Sequence, residues 1–278
     1  MYHNILTQKD QPEYKAVKKI AKLLLEFIES DSIYFSKSIE EPKIGILTVI
    51  VSKTSPHDYD EIYDHLWKVF KKYNQFSFCI FDRSWVKDEV KNGNLFFVLN
   101  CKESDLVYSK ANHKHALNIN KINLKKLLSK TSERYKVWIA ESDTIGRDLK
   151  YHQRNNNHLM ALYVIHQQFR YLFINVSWLL TGEWKIDESI MEQQEYVSMF
   201  NNSLGKAFDT HKDEERTVLQ KLDNACKAIQ WGKEMEPLNE DVVTFATEKL
   251  EWMQKEVRTL FQQYTEKTKL IFENYENR

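Results

Sequence analysis

Residues 158–182 read HLMALYVIHQQFRYLFINVSWLLTG (His158–Gly182). Apolar side chains fall on nearly every face of a 3.6-residue turn here, the pattern of a helix enclosed by other helices. His166, Gln167, Gln168, Arg170 and Asn175 interrupt the apolar run, so a membrane span is not expected. Asn155, Asn156 and Asn157 precede it as a turn and Thr181-Gly182 reads as its stop, which predicts a helix over 157–181. Working outward, helices are expected at about 132–153, 188–204, 213–231 and 239–274. The last follows Pro237, takes Asn239 as its cap and places Glu240 and Asp241 in its first turn, where the helix dipole favours acids. Its inward stripe is read as Val242, Phe245, Ala246, Leu250, Met253, Val257, Leu260, Phe261 and Tyr264. No strand is expected in this half, so 131–278 reads as an antiparallel all-α bundle with helix 157–181 at its centre.

The chain upstream has a different character. Val17, Ile20, Ala21, Leu24 and Ile28 lie at three-and-four spacing and predict an amphipathic helix over 12–29. Ile33-Tyr34-Phe35 reads as a short strand, and Ile44–Val51 (IGILTVIV) as a central one, apolar on both faces. A helix is expected at about 58–72 with Ile62, Leu66, Val69 and Phe70 inward, followed by a strand over Phe76–Phe81. Leu95–Leu99 fits either a strand or a buried helix. The expected fold class is therefore α+β, with a small α/β domain over 1–108, a basic linker over 109–130 and the helical bundle over 131–278.

Composition narrows the partners. Forty Lys and Arg balance forty Asp and Glu, so no whole-molecule field exists to hold a duplex, and DNA is not an expected partner. The balance conceals two halves: residues 1–130 carry 21 basic and 16 acidic side chains, the remainder 19 and 24. Cys79, Cys101 and Cys226 lie far apart without a CxxC pair and read as reduced, buried thiols. Residues 1–15 carry no apolar signal-peptide stretch, and a cytoplasmic location without a membrane partner is expected.

His158–Gly182, followed by DEERTVLQKLDNACKAIQW and LNEDVVTFATEKLEWMQKEVRTLF, resembles a HEPN domain, an all-helical family named for nucleotide binding. The similarity spans about residues 131–265 and includes His166-Gln167 and the glycine stop. Ahead of it, GILTVIVSK and FSFCIFDRSWVKDEVKNGNLFFVLNCKESDLVYS resemble the small nucleotidyltransferase domain that often precedes HEPN, the segment Asn92–Tyr108 most of all. The resemblance implies nucleotidyl transfer by a Gly-Ser turn that receives the triphosphate and by two metal-holding carboxylates one residue apart. Here the turn reads Phe35-Ser36-Lys37-Ser38 without glycine, and positions 44 and 46, where the family has acids, are isoleucine. Glu40, Glu41 and Asp82 do not replace that pair, so the domain is read as a catalytically inactive relative with no metal site. Ser36, Lys37 and Ser38 remain candidates for holding a phosphate.

HEPN relatives that cut RNA pair an arginine with a histidine four to six residues on: the histidine moves a proton and the arginine steadies the phosphorane charge. Arg147 and His152 have that spacing, late in the bundle's first expected helix, whereas the family places the motif further along. His166 and Arg170 share one face of helix 157–181 and are expected as a buried pair satisfied by an acid from helix 188–204, or as ligand-binding residues. Ser109–Lys130 has six lysines and no acid, which fits a solvated linker, contact with RNA or nucleotide phosphates, or docking on the acidic half.

The resulting expectation is a non-catalytic nucleotide- or RNA-binding regulatory protein, with no cofactor beyond a nucleotide ligand. The alternatives are a divergent nucleotidyltransferase, a HEPN ribonuclease using Arg147 and His152, and a structural oligomer that binds nothing small. The bundle carries Trp178, Trp184, Trp231, Trp252, Met199 and Phe208, more apolar surface than one bundle is expected to hide, so a homodimer through the helical domain is expected.

Overall fold

The structure, a computed structural model, describes residues 5–6, 13–52, 66, 70, 73–110, 117 and 121–276. The chain divides into two compact units, Met1–Thr131 with Lys267–Arg278, and Ser132–Glu266. It is of mixed α+β type.

The first unit opens with helix α1 (Tyr14–Phe27), whose buried Val17, Ile20, Ala21 and Leu24 follow the expected stripe. Strands β1 (Ser30–Lys37), β2 (Gly45–Val51) and β3 (Phe76–Asp82) follow, then α2 (Arg83–Lys91), α3 (Leu95–Asn100) and β4 (Leu106–Ser109). The sheet order is β3-β2-β1-β4, with β2 parallel to β3 and β1 antiparallel to both β2 and β4. Every residue of β2 is buried, as its two-faced apolar sequence requires. One face, with Ile33, Phe35, Leu47, Val49 and Phe78, packs in a core with α1 and with the buried Leu66 and Phe70. The helix expected over 58–72 lies otherwise outside the described residues. The second face is met by α2 and α3, where Phe81 stacks on Trp85 at 5.2 Å and meets the edge of Phe97 at 4.9 Å.

Leu95–Leu99 is helical, with every side chain buried. The preceding Asn92-Gly93-Asn94 sets its start. Gly93 has φ +91°, and a Cβ there would lie 2.4 Å from the Thr131 backbone nitrogen, so this turn demands glycine on two counts. Asn94 is fully buried. Its side chain caps α3 by accepting from the Phe96 N–H and donates to Glu89.

Helix α4 (Leu124–Gly146) begins inside the basic stretch 109–130. The last seven residues of the expected linker are thus helical, with the Lys126 N–H capped by Asn123 at 2.9 Å. Arg147 and Asp148 break the expected single helix, and α5 (Leu149–Arg154) follows.

The second unit is helical. Helix α6 (His158–Thr181) is buried along most of its length and ends at Gly182 in the left-handed region, φ +81°. It packs against α5, α7 (Ile190–Ser198) and α8 (Asp213–Trp231). Its Trp178 meets Trp138 of α4 edge-on at 5.2 Å. The long α9 (Glu240–Glu276) starts as expected, with the Val242 N–H donating to Asn239. Its buried stripe runs through Val243, Ala246, Leu250, Met253, Val257, Leu260 and Tyr264; Val242, Phe245 and Phe261 sit at its margins, so the stripe is turned slightly from the expected one. No described helix is long and apolar enough to cross a membrane.

Candidate functional site

The three residues expected to receive a phosphate lie at the end of β1 and immediately after it. Ser36 and Lys37 belong to β1 rather than to a turn, and the turn itself begins at Ser38. The buried Ser36 hydroxyl donates to Asn100 Oδ1 at 2.8 Å, and Asn100 Nδ2 donates onward to the Phe96 carbonyl. Lys37 reaches Glu13 at 2.8 Å, and that hydrogen bond holds the Glu13 carboxyl below its ordinary pKa. Ser38 is buried, accepts from the Glu41 N–H and donates its own N–H to the Ile44 carbonyl. Of the three side chains, Lys37 alone is exposed.

Isoleucine 46 lies within the fully buried β2, paired with Ser36 on β1. Asp82, the acid ending β3, serves as the cap of α2, accepting from the Ser84 N–H at 2.8 Å. Among the described residues, no group of three His, Cys, Asp or Glu side chains is gathered as a metal site would need. Cys79, Cys101 and Cys226 are all buried, and no disulfide joins them.

In the helical unit, His166 on α6 is fully buried and both its ring nitrogens are engaged. Nε2 lies 3.2 Å from Asp223 Oδ1 and Nδ1 lies 3.2 Å from Gln167 Nε2. Because the Gln167 amide donates to Nδ1, the ring proton belongs on Nε2, facing the carboxylate. Asp223 also accepts from the Ser189 hydroxyl at 2.7 Å and from the Ile190 N–H at 2.9 Å. Burial alone would raise the Asp223 carboxyl; the hydrogen bonds from His166, Ser189 and Ile190 hold it below its ordinary pKa. Arg170, one turn beyond His166, donates to the Asp187 carbonyl at 2.8 Å.

The expected acidic partner of His166 therefore comes from α8, not from helix 188–204. Ser189 and Ile190, at the start of α7, join the same carboxylate as donors. Ser189, Asp223 and His166 do not form a nucleophile relay: the serine hydroxyl donates to the acid, not to the imidazole, and also accepts from the Glu192 N–H as the cap of α7. The network ties α6, α7 and α8 together. Asp223 was missed in the sequence, yet it lies among the buried Leu219, Leu222 and Cys226. An acid on an apolar stripe is the available signal, since it must be paired to be buried.

Arg147 and His152 fall on different elements, the exposed arginine in the turn after α4 and the half-buried histidine on α5. His152 Nδ1 is buried without a hydrogen-bond partner. His152 also meets Tyr151 edge-on at 5.5 Å.

Of the apolar residues counted as surplus, Trp178 and Phe208 are fully buried. Trp184 and Trp231 are exposed, and Met199 and Trp252 are half-buried. Comparison with protein-family models, curated proteins and solved structures finds no match to this chain.

Proposed function

We propose that this chain is a non-catalytic nucleotide- or RNA-binding regulatory protein of nucleotidyltransferase–HEPN type. The observation that carries the reading is β2: buried along its whole length, it has isoleucine where that family has metal-holding acids. Ser36 and Asp82, the nearest replacements for a phosphate ligand and an acid, spend their side chains on Asn100 and on the cap of α2. A sheet arranged this way can keep a recognition role while lacking the charges that activate an attacking oxygen. The exposed Ile229 and Trp231 at the end of α8 support a homodimer through the helical domain.

Thermal shift against nucleoside di- and triphosphates, with and without Mg²⁺, tests the reading. Ligand at about 100 times its dissociation constant stabilises a one-site protein by about 2.7 kcal/mol. The expected result is stabilisation that does not require Mg²⁺ and survives Lys37→Ala, since Lys37 is already paired with Glu13. No shift with any nucleotide and no binding of RNA would remove the proposal.

A further inference from the structure

Helix α1 has two opposed faces. Val17, Ile20, Ala21 and Leu24 are at most 1% exposed and pack in the core with the sheet. On the other side lie Lys15, Lys18, Lys19 and Lys22, at the i, i+3, i+4 and i+7 positions that share one helix face. Lys15, Lys19 and Lys22 are exposed and Lys18 is half-buried. Like charges at this spacing disfavour a helix, and the buried stripe supplies the stability that keeps α1 formed.

The neighbouring acids do not neutralise this patch. Glu13 pairs with Lys37 at 2.8 Å and Glu29 pairs with Lys110, while Glu26, one turn beyond Lys22, marks the end of the row. Among the described residues, none of the four lysines forms an ion pair with a carboxylate. Two of them lie near aromatic rings instead. The Lys18 ammonium is 5.5 Å from the ring centroid of Tyr14 and donates to its hydroxyl at 3.3 Å, and that of Lys19 is 5.9 Å from the ring centroid of Tyr73. Both rings are half-buried. Such contacts place an ammonium group without cancelling its charge.

Charge and spacing define the partner. Side chains three and four apart on a helix stand about 5–6 Å from one another at Cβ. That is inside the Debye length of about 8 Å at physiological salt, so the four act together on a polyanion. A single-stranded phosphodiester chain carries a charge at every link and is flexible enough to lay successive phosphates along the row. Tyr14 and Tyr73 at its border give the mixed basic and aromatic composition of a single-strand surface. An anionic membrane fits less well, because a helix that enters the lipid interface must present its apolar face, and that of α1 is buried in the core. We infer that the outer face of α1 binds the backbone of single-stranded RNA, without regard to sequence, through Lys15, Lys18, Lys19 and Lys22. The inference rests on the nucleotide- or RNA-binding reading above and places the RNA on the first unit.

Fluorescence anisotropy of a short labelled oligouridine, titrated with the full chain over a range of KCl concentrations, tests it. The combined variant Lys15→Gln, Lys19→Gln, Lys22→Gln should weaken binding about tenfold or more at low salt. It should also lower the slope of log affinity against log salt by about 2, since each phosphate contact on a single strand contributes about 0.7. Arginine at the same three positions should keep wild-type binding, which separates charge from folding. Glutamine at the exposed Lys136, Lys206 and Lys255 of the helical unit changes the net charge equally and should leave binding unchanged. Wild-type affinity and slope in the α1 glutamine variant would overturn the surface and leave the RNA-binding reading standing. An equal loss in the helical-unit control would assign the effect to net charge and overturn the surface too. Stabilisation by nucleotides with no binding of oligouridine would overturn this inference alone, and absence of binding to any nucleotide or RNA would overturn both. Binding to phosphatidylserine vesicles but not to oligouridine, lost in the α1 glutamine variant, would give the face to a membrane and overturn it, as would tenfold tighter binding of a DNA strand than of RNA.

Discussion

Asp223 on α8 and His166 on α6 meet at 3.2 Å in the interior of the helical unit, 57 residues apart in the chain. The same carboxylate receives the Ser189 hydroxyl and the Ile190 N–H, so one acid satisfies donors from α6 and from the start of α7. Removing it strands these donors, and a buried unsatisfied polar group costs about 1–3 kcal/mol. Asp223→Ala should therefore destabilise the protein by about 3 kcal/mol or more. Urea unfolding should show a lower midpoint with an unchanged slope; a midpoint unchanged from wild type would refute the tie between the three helices.

Glu215 gives the pH dependence a direction. Burial would raise its carboxyl, but hydrogen bonds from Lys249, the Asp209 N–H and Lys212 hold its pKa at about 2, against an ordinary value of 4.5. A carboxyl held low in the folded state stabilises it above the unfolded pKa, and this stabilisation is lost as pH falls from about 4.5 toward 2. The depressed carboxyls of Glu13 and Asp223 act with the same sign. Thermal unfolding from pH 6 to pH 2 should show a falling melting temperature for wild type. Glu215→Gln should start lower at pH 6 and fall less steeply. Equal slopes for the two proteins would contradict the assignment.

Arg147 and His152 meet the spacing of a ribonuclease motif but lie on a turn and on a separate short helix. His152→Ala should leave any RNA-cleaving activity of the purified protein at the wild-type rate. A specific loss of cleavage by more than tenfold, with the melting temperature preserved, would place His152 in a catalytic site.

The helical half was the more legible part of the chain. The starts and stops of α6, α8 and α9 coincide with residues that carry strong local signals: Asn157, Gly182, Gly232 and Asn239. The same is true of β2, whose continuous β-branched run leaves few other readings. Helix α2 was not expected, because RSWVKDEVK has few apolar positions; its start depends on Asp82, which reads equally well as a strand end. The break after α4 was hidden for a different reason. Gly146 reads as a helix interior, while in the fold a Cβ there would come within 2.4 Å of Gln168 on α6. At the candidate site, local spacing shows that His166 and Arg170 share a face but cannot show that the acid arrives from 57 residues away.

Trp231 is half exposed at the end of α8, and Ile229, two residues earlier, is exposed as well. If this surface pairs two copies, light scattering should give a particle near twice 33.3 kDa, and Trp231→Glu should halve it without lowering the melting temperature of the monomer. A wild-type protein that is monomeric at tens of micromolar would refute the pairing.

The central claim joins binding to the lack of turnover, and one measurement addresses both. The full chain is incubated with radiolabelled guanosine triphosphate, Mg²⁺ and a short RNA, the bound fraction is separated by filtration, and the label is then resolved chemically. The account predicts that the protein retains the nucleotide or the RNA and that the label is recovered as unchanged triphosphate, with no pyrophosphate and no labelled RNA. Release of pyrophosphate with transfer of the nucleotide to RNA or protein, lost on Asp82→Ala, would contradict it.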